Sequence, residues 1–299
     1  MVFLYICISY TGYPMNSTEK QSYLHEFQSV CSDISKLITK RYSTSFYWAS
    51  QFFSKEIQKG IFNIYGFVRF TDEIVDSFHD FDKETLLNNF EEEYRNALLT
   101  GISLNPIIYS FVNTCRQYNI EVTYTDAFLQ SMRFDLTKKE YKNADEINEY
   151  IYGSAEVIGL MCLKIFCKGD QKQFEFLKPQ ALKLGAAFQK VNFLRDIKND
   201  TLSLNRTYFP EMVIDSFNES SKEMIIRDIE NDFKIAKEGI RLLPRGSKLA
   251  VLIAYNYYKE LLDKLKRSSA ETILSTRIRV PNYYKLYLIF KAFLLNIFT

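Results

Sequence analysis

Long, proline-poor stretches of helical periodicity constrain this 299-residue chain more than any other feature. Its six prolines stand far apart, at 14, 106, 179, 210, 244 and 281. Between them apolar residues recur three and four positions apart, which places them on one face of an α-helix. Residues 21–40 carry Leu24, Phe27, Val30, Cys31, Ile34, Leu37 and Ile38 at that spacing. Residues 54–78 repeat it with Ile57, Ile61, Ile64, Tyr65, Val68 and Val75. The same habit predicts helices over 83–99, 106–118, 123–135, 145–167, 171–200, 222–241, 246–267 and 281–297. No alternating run is long enough for a strand, and linkers, repeats and low-complexity tracts are absent. The expectation is one all-α domain, large enough to bury a substantial core.

Two acidic segments break the apolar pattern. Asp72-Glu73-Ile74-Val75-Asp76 and Asp196-Ile197-Lys198-Asn199-Asp200 each carry aspartates four apart, with Arg69 and Arg195 just upstream. Such pairs are weak evidence alone, since roughly four acidic i,i+4 pairs arise by chance in a chain of this composition, and most are solvated helix faces. Their surroundings set these two apart. The first follows Tyr65-Gly66-Phe67-Val68-Arg69-Phe70, too apolar for a solvent face. In the second, Gln189, Asn192, Asp196 and Asp200 step along one face of an otherwise apolar helix. A polar stripe there needs an occupant. A buried Arg–Asp ion-pair network would satisfy it. So would a hard divalent cation, which takes carboxylate oxygens and bridges them to phosphates.

Composition narrows the classes further. A net charge of +2 gives no footprint for nucleic acid. Only His25 and His79 are present, which argues against a histidine zinc site or a Ser-His-Asp triad. The five cysteines, with no CxxC spacing, read as reduced thiols of a cytoplasmic protein. An aromatic share of 16% suits either an aromatic core or the lining of a large apolar cavity, and by composition alone the core is the plainer reading. No segment reads as a transmembrane helix, the apolar run at 2–10 being too short and lacking a basic flank. Residues 1–14 read as an extension upstream of a start at Met15, with a short hydrophobic anchor as the alternative, leaving 15–299 as the functional domain. Residues 286–298 are apolar but interrupted by Lys291, the pattern of an interfacial helix able to touch a membrane peripherally. Oligomeric state is not legible.

The stretches YGFVRFTDEIVD and GAAFQKVNFLRDIKNDTLSLNRTYFP resemble the two signature regions of the squalene/phytoene synthase family. Tyr42-Ser43-Thr44-Ser45-Phe46-Tyr47 resembles that family's Ser-rich N-terminal helix. Met132 to Leu136 and Tyr150 to Gly159 resemble its middle segment. The resemblance spans about residues 20–290 and is nearest the bacterial phytoene-forming branch.

It implies a helical isoprenoid-synthase fold with a central active-site cavity. It also implies Mg²⁺-dependent, with Mn²⁺ as a substitute, head-to-head condensation of two prenyl diphosphates through a cyclopropyl diphosphate. By position Asp72, Asp76, Asp196 and Asp200 take the metal-binding, catalytic roles, with Arg195 beside them. Arg69, Arg206 and Arg277 take diphosphate-contacting roles, with Gln189, Asn192, Tyr152 and Tyr258 nearby. Ser43, Ser45 and Phe46 match residues that meet the first substrate.

Four positions depart from the family pattern: Glu73 stands for the usual Asp, Asn199 for an acid so that one carboxylate is lost, Asn205 for a Gly, and Lys59 for an Arg. The expected reaction joins two geranylgeranyl diphosphates to phytoene for carotenoid synthesis. The rivals are a squalene or dehydrosqualene synthase using farnesyl diphosphate, and a non-catalytic member acting as a binding or assembly factor. The absence of a Gly-rich dinucleotide fingerprint does not decide whether NADPH is used.

Overall fold

The computed structural model describes residues 17–138, 141, 143–203 and 217–297. Arg206 and the 1–14 extension lie outside them, and Asp200 is described only as a backbone position. Every regular element among the described residues is helical. In chain order they are α1 (Ser17–Tyr42), α2 (Thr44–Ser50), α3 (Lys55–Ser77), α4 (Lys83–Thr100), α5 (Pro106–Gln117), α6 (Val122–Thr137) and α7 (Ala144–Ile151). A π-helical segment (Tyr152–Glu156) leads into α8 (Val157–Cys167). Then come α9 (Gln171–Ser203), α10 (Glu219–Leu242), α11 (Arg245–Arg267), α12 (Ala270–Ser275) and α13 (Asn282–Ile297).

Boundaries follow local chemistry. Asn105 accepts from the Ile107 and Ile108 amides with Pro106 at the first helical position of α5. Asn218 and Ser221 close a capping box on α10. Asp82, in the loop after the first acidic motif, accepts from the Thr85 amide at 3.1 Å and starts α4. Its carboxylate serves as the helix cap. The short α2 and α12 escape the periodicity analysis because one or two turns cannot display a repeat.

The core is aromatic. Phe67 on α3 is fully buried and stacks on Phe111 of α5 at 3.9 Å between ring centroids. Phe90, Tyr94 and Phe128 close round it from α4 and α6. A small polar layer then ties α1, α3 and α5: Ser35 to Ser110 at 3.0 Å and Asn63 to Thr114 at 2.9 Å. The helical stretch Ala144–Cys167 is long and apolar enough to cross a membrane by length and composition alone. In this fold its Val157, Leu160, Met161 and Ile165 are core residues. Cys31, Cys115 and Cys167 are buried and Cys162 half-buried, all as free thiols.

The widened turn at 152–156 packs between α6 and α9. An added Cβ on Gly153 would lie 2.4 Å from the Ala127 carbonyl oxygen, and one on Gly185 2.9 Å from that of Ala155. Only hydrogen permits both approaches. Behind this junction α9 is clamped to α10. Lys190, with 8% of its surface exposed, donates to Asp232 at 2.6 Å and also bonds Asp228, while Lys183 reaches the same Asp232 at 3.0 Å. Such a pair is specific in position, and losing one partner leaves a buried charge.

Gly185→Ala should therefore push α9 off the π-helical segment, lowering stability by about 1–3 kcal/mol and Tm by a few degrees. A thermal melt unchanged from wild type would show that this contact has slack.

Glu156 closes the same segment. Burial raises its carboxyl to about 7, against the pull of Lys183 and Lys190 and with a push from Asp232. The folded state thus holds the proton more tightly than the unfolded chain. That stabilisation is complete below the ordinary Glu pKa and is lost as pH rises through about 7. Urea melts between pH 5 and pH 8 should show wild type losing ground to Glu156→Gln as pH rises; parallel curves would contradict this.

Candidate functional site

An apolar cavity of about 460 Å³ runs between α2, α3, α8, α9, α10 and α11. Its walls include Phe46, Phe53, Phe166, Leu184, Phe188 and Leu243. Small residues such as Ala155, Gly159, Ala181 and Gly239 leave the space open. The aromatic content therefore serves both readings made from composition, since the Phe67 cluster is solid core and a second set of rings lines the cavity.

Polar groups converge on this cavity from four helices, α2, α3, α9 and α11. Ser43, the residue that starts α2, bonds the Tyr65 hydroxyl of α3. Phe46 stacks on Tyr65 with ring centroids 5.1 Å apart. On the other side, Asn192 of α9 bonds the Tyr258 hydroxyl of α11, and Tyr258 stacks on Phe188 at 4.0 Å. Burial raises both tyrosine hydroxyls above their ordinary value. Tyr65 also feels Arg69, Asp72 and Tyr258, while Tyr258 feels Arg195 and Asp196. The two tyrosines thus link the two acidic motifs across the cavity. Asn192 Oδ1 and Ser154 Oγ are buried there without a hydrogen-bond partner among the described residues.

On α3, Asp72 is half-buried and its carboxyl is raised to about 7. Burial is the largest cause, followed by repulsion from Asp76, with Arg69 opposing and Asp135 adding to it. Arg69 pairs with Glu73 one turn on, and its guanidinium lies over the Tyr42 ring, 4.5 Å from the centroid. On α9, Asp196 receives Arg195 Nε at 2.9 Å and Arg277 Nε at 2.8 Å, with Arg277 Nη2 at 3.2 Å. Arg277 arrives from the link between α12 and α13, so this ion pair closes the site from a distant part of the chain.

Most of the sequence-predicted residues meet. Ser43, Phe46, Gln189, Asn192 and Tyr258 line the cavity, and Asp72, Asp76 and Arg69 gather on one side with Arg195, Asp196 and Arg277 on the other. Ser45 is half-buried and is not part of the lining. Tyr152 is 38% exposed at the start of the π-helical segment and does not line the cavity either. The side chain of Asp200, and Arg206 entirely, lie outside the described residues. Two participants were not singled out from the sequence. Asp135 of α6 accepts from the Tyr150 hydroxyl at 2.9 Å and adds a further negative charge near Asp72. Tyr65 was visible only as part of an apolar face. Neither carries a spacing signal, because their partners are on other helices.

The comparisons with known proteins agree with this arrangement. The family model described as squalene/phytoene synthase matches residues 39–284. A phytoene synthase of Arthrospira platensis is 25% identical over 280 residues, covering 85% of this chain and 89% of its own. The 15-cis-phytoene synthase of Synechococcus elongatus is 25% identical, covering 83% and 88%. In structure, a dehydrosqualene synthase in complex with ligand superposes with TM-score 0.78 at 20% identity, covering 91% of this chain and 98% of that one. A squalene synthase from Alicyclobacillus acidocaldarius gives 0.71 at 19%, covering 80% and 94%. With its all-helical isoprenoid-synthase fold, the chain belongs to the squalene/phytoene synthase family, and it is a prenyltransferase.

Proposed function

We propose that the protein condenses two geranylgeranyl diphosphates head to head, through a cyclopropyl diphosphate, to phytoene and two diphosphates. The observation that carries this is the pairing of one aromatic-lined cavity of about 460 Å³ with carboxylates and arginines on either side of its polar groups. The names of the sequence relatives favour the C20 substrate. Farnesyl diphosphate is the second reading, favoured by the backbone likeness to a dehydrosqualene synthase.

The residues fit a hard divalent cation. Their donors are all carboxylate oxygens, and the Asp72 carboxyl, raised first by burial and then by repulsion from Asp76, is one that a cation would draw back to its charged form. Among the described residues no three acidic, His or Cys side chains converge into a closed cage. Asp72, Asp76, Asp196 and Asp200 would hold Mg²⁺ together with the substrate, and the ion would supply charge neutralisation for the leaving diphosphate.

The chain's own residues do the rest. Arg69, Arg195 and Arg277 offer forked guanidinium donors for phosphate oxygens. For Arg277 this means leaving Asp196, the exchange that substrate binding would drive. Tyr65 and Tyr258 hold hydroxyls at the junction of polar and apolar surface. Ionisation of an allylic diphosphate leaves a carbocation that water would quench. The apolar walls exclude water. The faces of Phe46, Phe188 and Tyr258 can stabilise the cation, by about 0.5–2 kcal/mol each.

The experiment is product analysis. Purified protein with Mg²⁺ is given geranylgeranyl or farnesyl diphosphate, each with and without NADPH. A C40 hydrocarbon without NADPH supports the proposal. A C30 product keeps the chemistry and replaces the substrate, and no product from either points to the non-catalytic alternative. Asp72→Asn should lower turnover by at least about 100-fold with the far-UV circular dichroism spectrum unchanged. A variant that turns over normally would remove Asp72 from the metal site.

A further inference from the structure

We propose that the cleft between α1 and the first turns of α3 binds a phosphate-class oxyanion, inorganic phosphate or diphosphate, at a site separate from the prenyl cavity. Ser29, Ser32 and Lys36 reach this cleft from α1, and Lys55, Gln58 and Lys59 reach it from α3. Lysines elsewhere in the fold are tied down: Lys164 to Glu121, Lys168 to Glu56, Lys190 to Asp232 and Lys266 to Glu230. Lys36, Lys55 and Lys59 have no ion pair or hydrogen bond among the described residues. The only acid in the lining, Asp33, is paired with none of them. Three ammonium groups against one carboxylate leave an excess of two positive charges round one small concavity. The start of α3 adds to it, because Ser54 makes no side-chain cap bond and the positive end of the helix dipole lies at these same turns.

Size and lining select the ligand. The cleft holds about 150 Å³, and Phe62 is its only apolar side chain. Pockets for drug-sized ligands begin near about 300 Å³ and are mostly apolar. A hydrocarbon tail or a nucleotide is therefore excluded, and a small ion fits. Chloride or a single carboxylate would leave part of the positive charge unmatched. Phosphate and diphosphate carry charge enough and offer several oxygens, so they can accept from three ammonium groups together.

The wall is fixed from behind. Ser32, 7% exposed, donates to the Gln28 carbonyl at 3.0 Å and accepts from the Asn63 amide at 3.4 Å. Gln58, 5% exposed, donates to the Ser50 carbonyl at 3.0 Å. Ser50 and Ile61 in turn line the prenyl cavity on the other side of α3. The cleft and the cavity thus share a helix but no side chain. An anion clamped between α1 and α3 would rest against the back of the cavity wall. The site does not depend on which prenyl chain the enzyme takes.

The test is isothermal titration calorimetry of the full chain with inorganic diphosphate and with inorganic phosphate, in EDTA so that no divalent cation bridges the anion to carboxylates. Wild type should bind one or both, and more weakly as salt is raised. The combined variant Lys36→Gln, Lys55→Gln, Lys59→Gln should bind at least about tenfold less tightly. Asp33→Asn should bind more tightly, a sign of charge that a merely structural role would not give. Arg277→Gln, at the acidic motifs, should leave this binding unchanged. In case the triple variant melts early, wild type is labelled with pyridoxal 5′-phosphate, whose aldehyde condenses with a lysine amine, releases water, and is fixed when borohydride reduces the imine. Peptide mass spectrometry should find the label on Lys36, Lys55 or Lys59, and inorganic diphosphate should suppress it there. Absence of binding by wild type at millimolar anion, equal binding by the triple variant, or labelling of these lysines that the anion does not suppress would overturn the proposal. Binding lost in Arg277→Gln and kept in the triple variant would also overturn it and assign the anion to the prenyl diphosphate site.

Discussion

Negative charge on two helices beside one apolar cavity is the constraint the rest of the molecule serves. Asp72 and Asp76 repel each other on α3, and Asp135 adds to the strain on Asp72. On α9, Asp196 is held by Arg195 and Arg277. Carboxylates in so little water are costly unless a counter-charge is at hand. The protein supplies arginine on the α9 side and lets the Asp72 carboxyl rise toward neutrality on the other. The two sides of the site thus meet their negative charge differently, α9 with arginine and α3 by a carboxyl that burial raises.

Holding those helices apart and still fixed requires rigid packing away from the charges. The Phe67 cluster locks α3 to α4, α5 and α6. The Lys190–Asp232 pair locks α9 to α10, and the close approach of Gly185 to the π-helical segment sets the depth of α9 against α6 and α8. A π-type turn next to a cavity wall is a common way to re-aim side chains, and here Ser154 and Ala155 reach the cavity from it. Between these rigid bodies the small residues leave the space that the aromatic rings then line.

The same helices connect the site to the surface. α11 faces the cavity with Tyr258 and the solvent-side helix α13 with its other flank. Arg277 stands in the link between α12 and α13, so the segment that closes the site on Asp196 leads directly into α13.

How much was legible in the sequence follows from the range of each signal. Helical periodicity is local, so long helices such as α3, α9 and α11 stand out and their limits fall within a few residues, while α2 and α12 are too short to show a period. Aspartates four apart on apolar helices are also local, so Asp72, Asp76 and Asp196 were identifiable, and the resemblance of the flanking motifs to the squalene/phytoene synthases placed most of the lining. The partners Asp135 and Tyr65 were not identifiable, because what makes them matter is proximity across helices. The π-helical turn was hidden too: its sequence reads as continuous helix, and the close approaches of Gly153 to α6 and of Gly185 to Ala155 at that turn are contacts between helices. By itself the sequence determined which segments are helical and which residue types can hold phosphate and metal, since both are written in short-range spacing. The cavity, the Arg277–Asp196 closure, the ring pairs that line the site and the lysine-lined cleft between α1 and α3 were decided by tertiary structure, because each depends on which helices become neighbours.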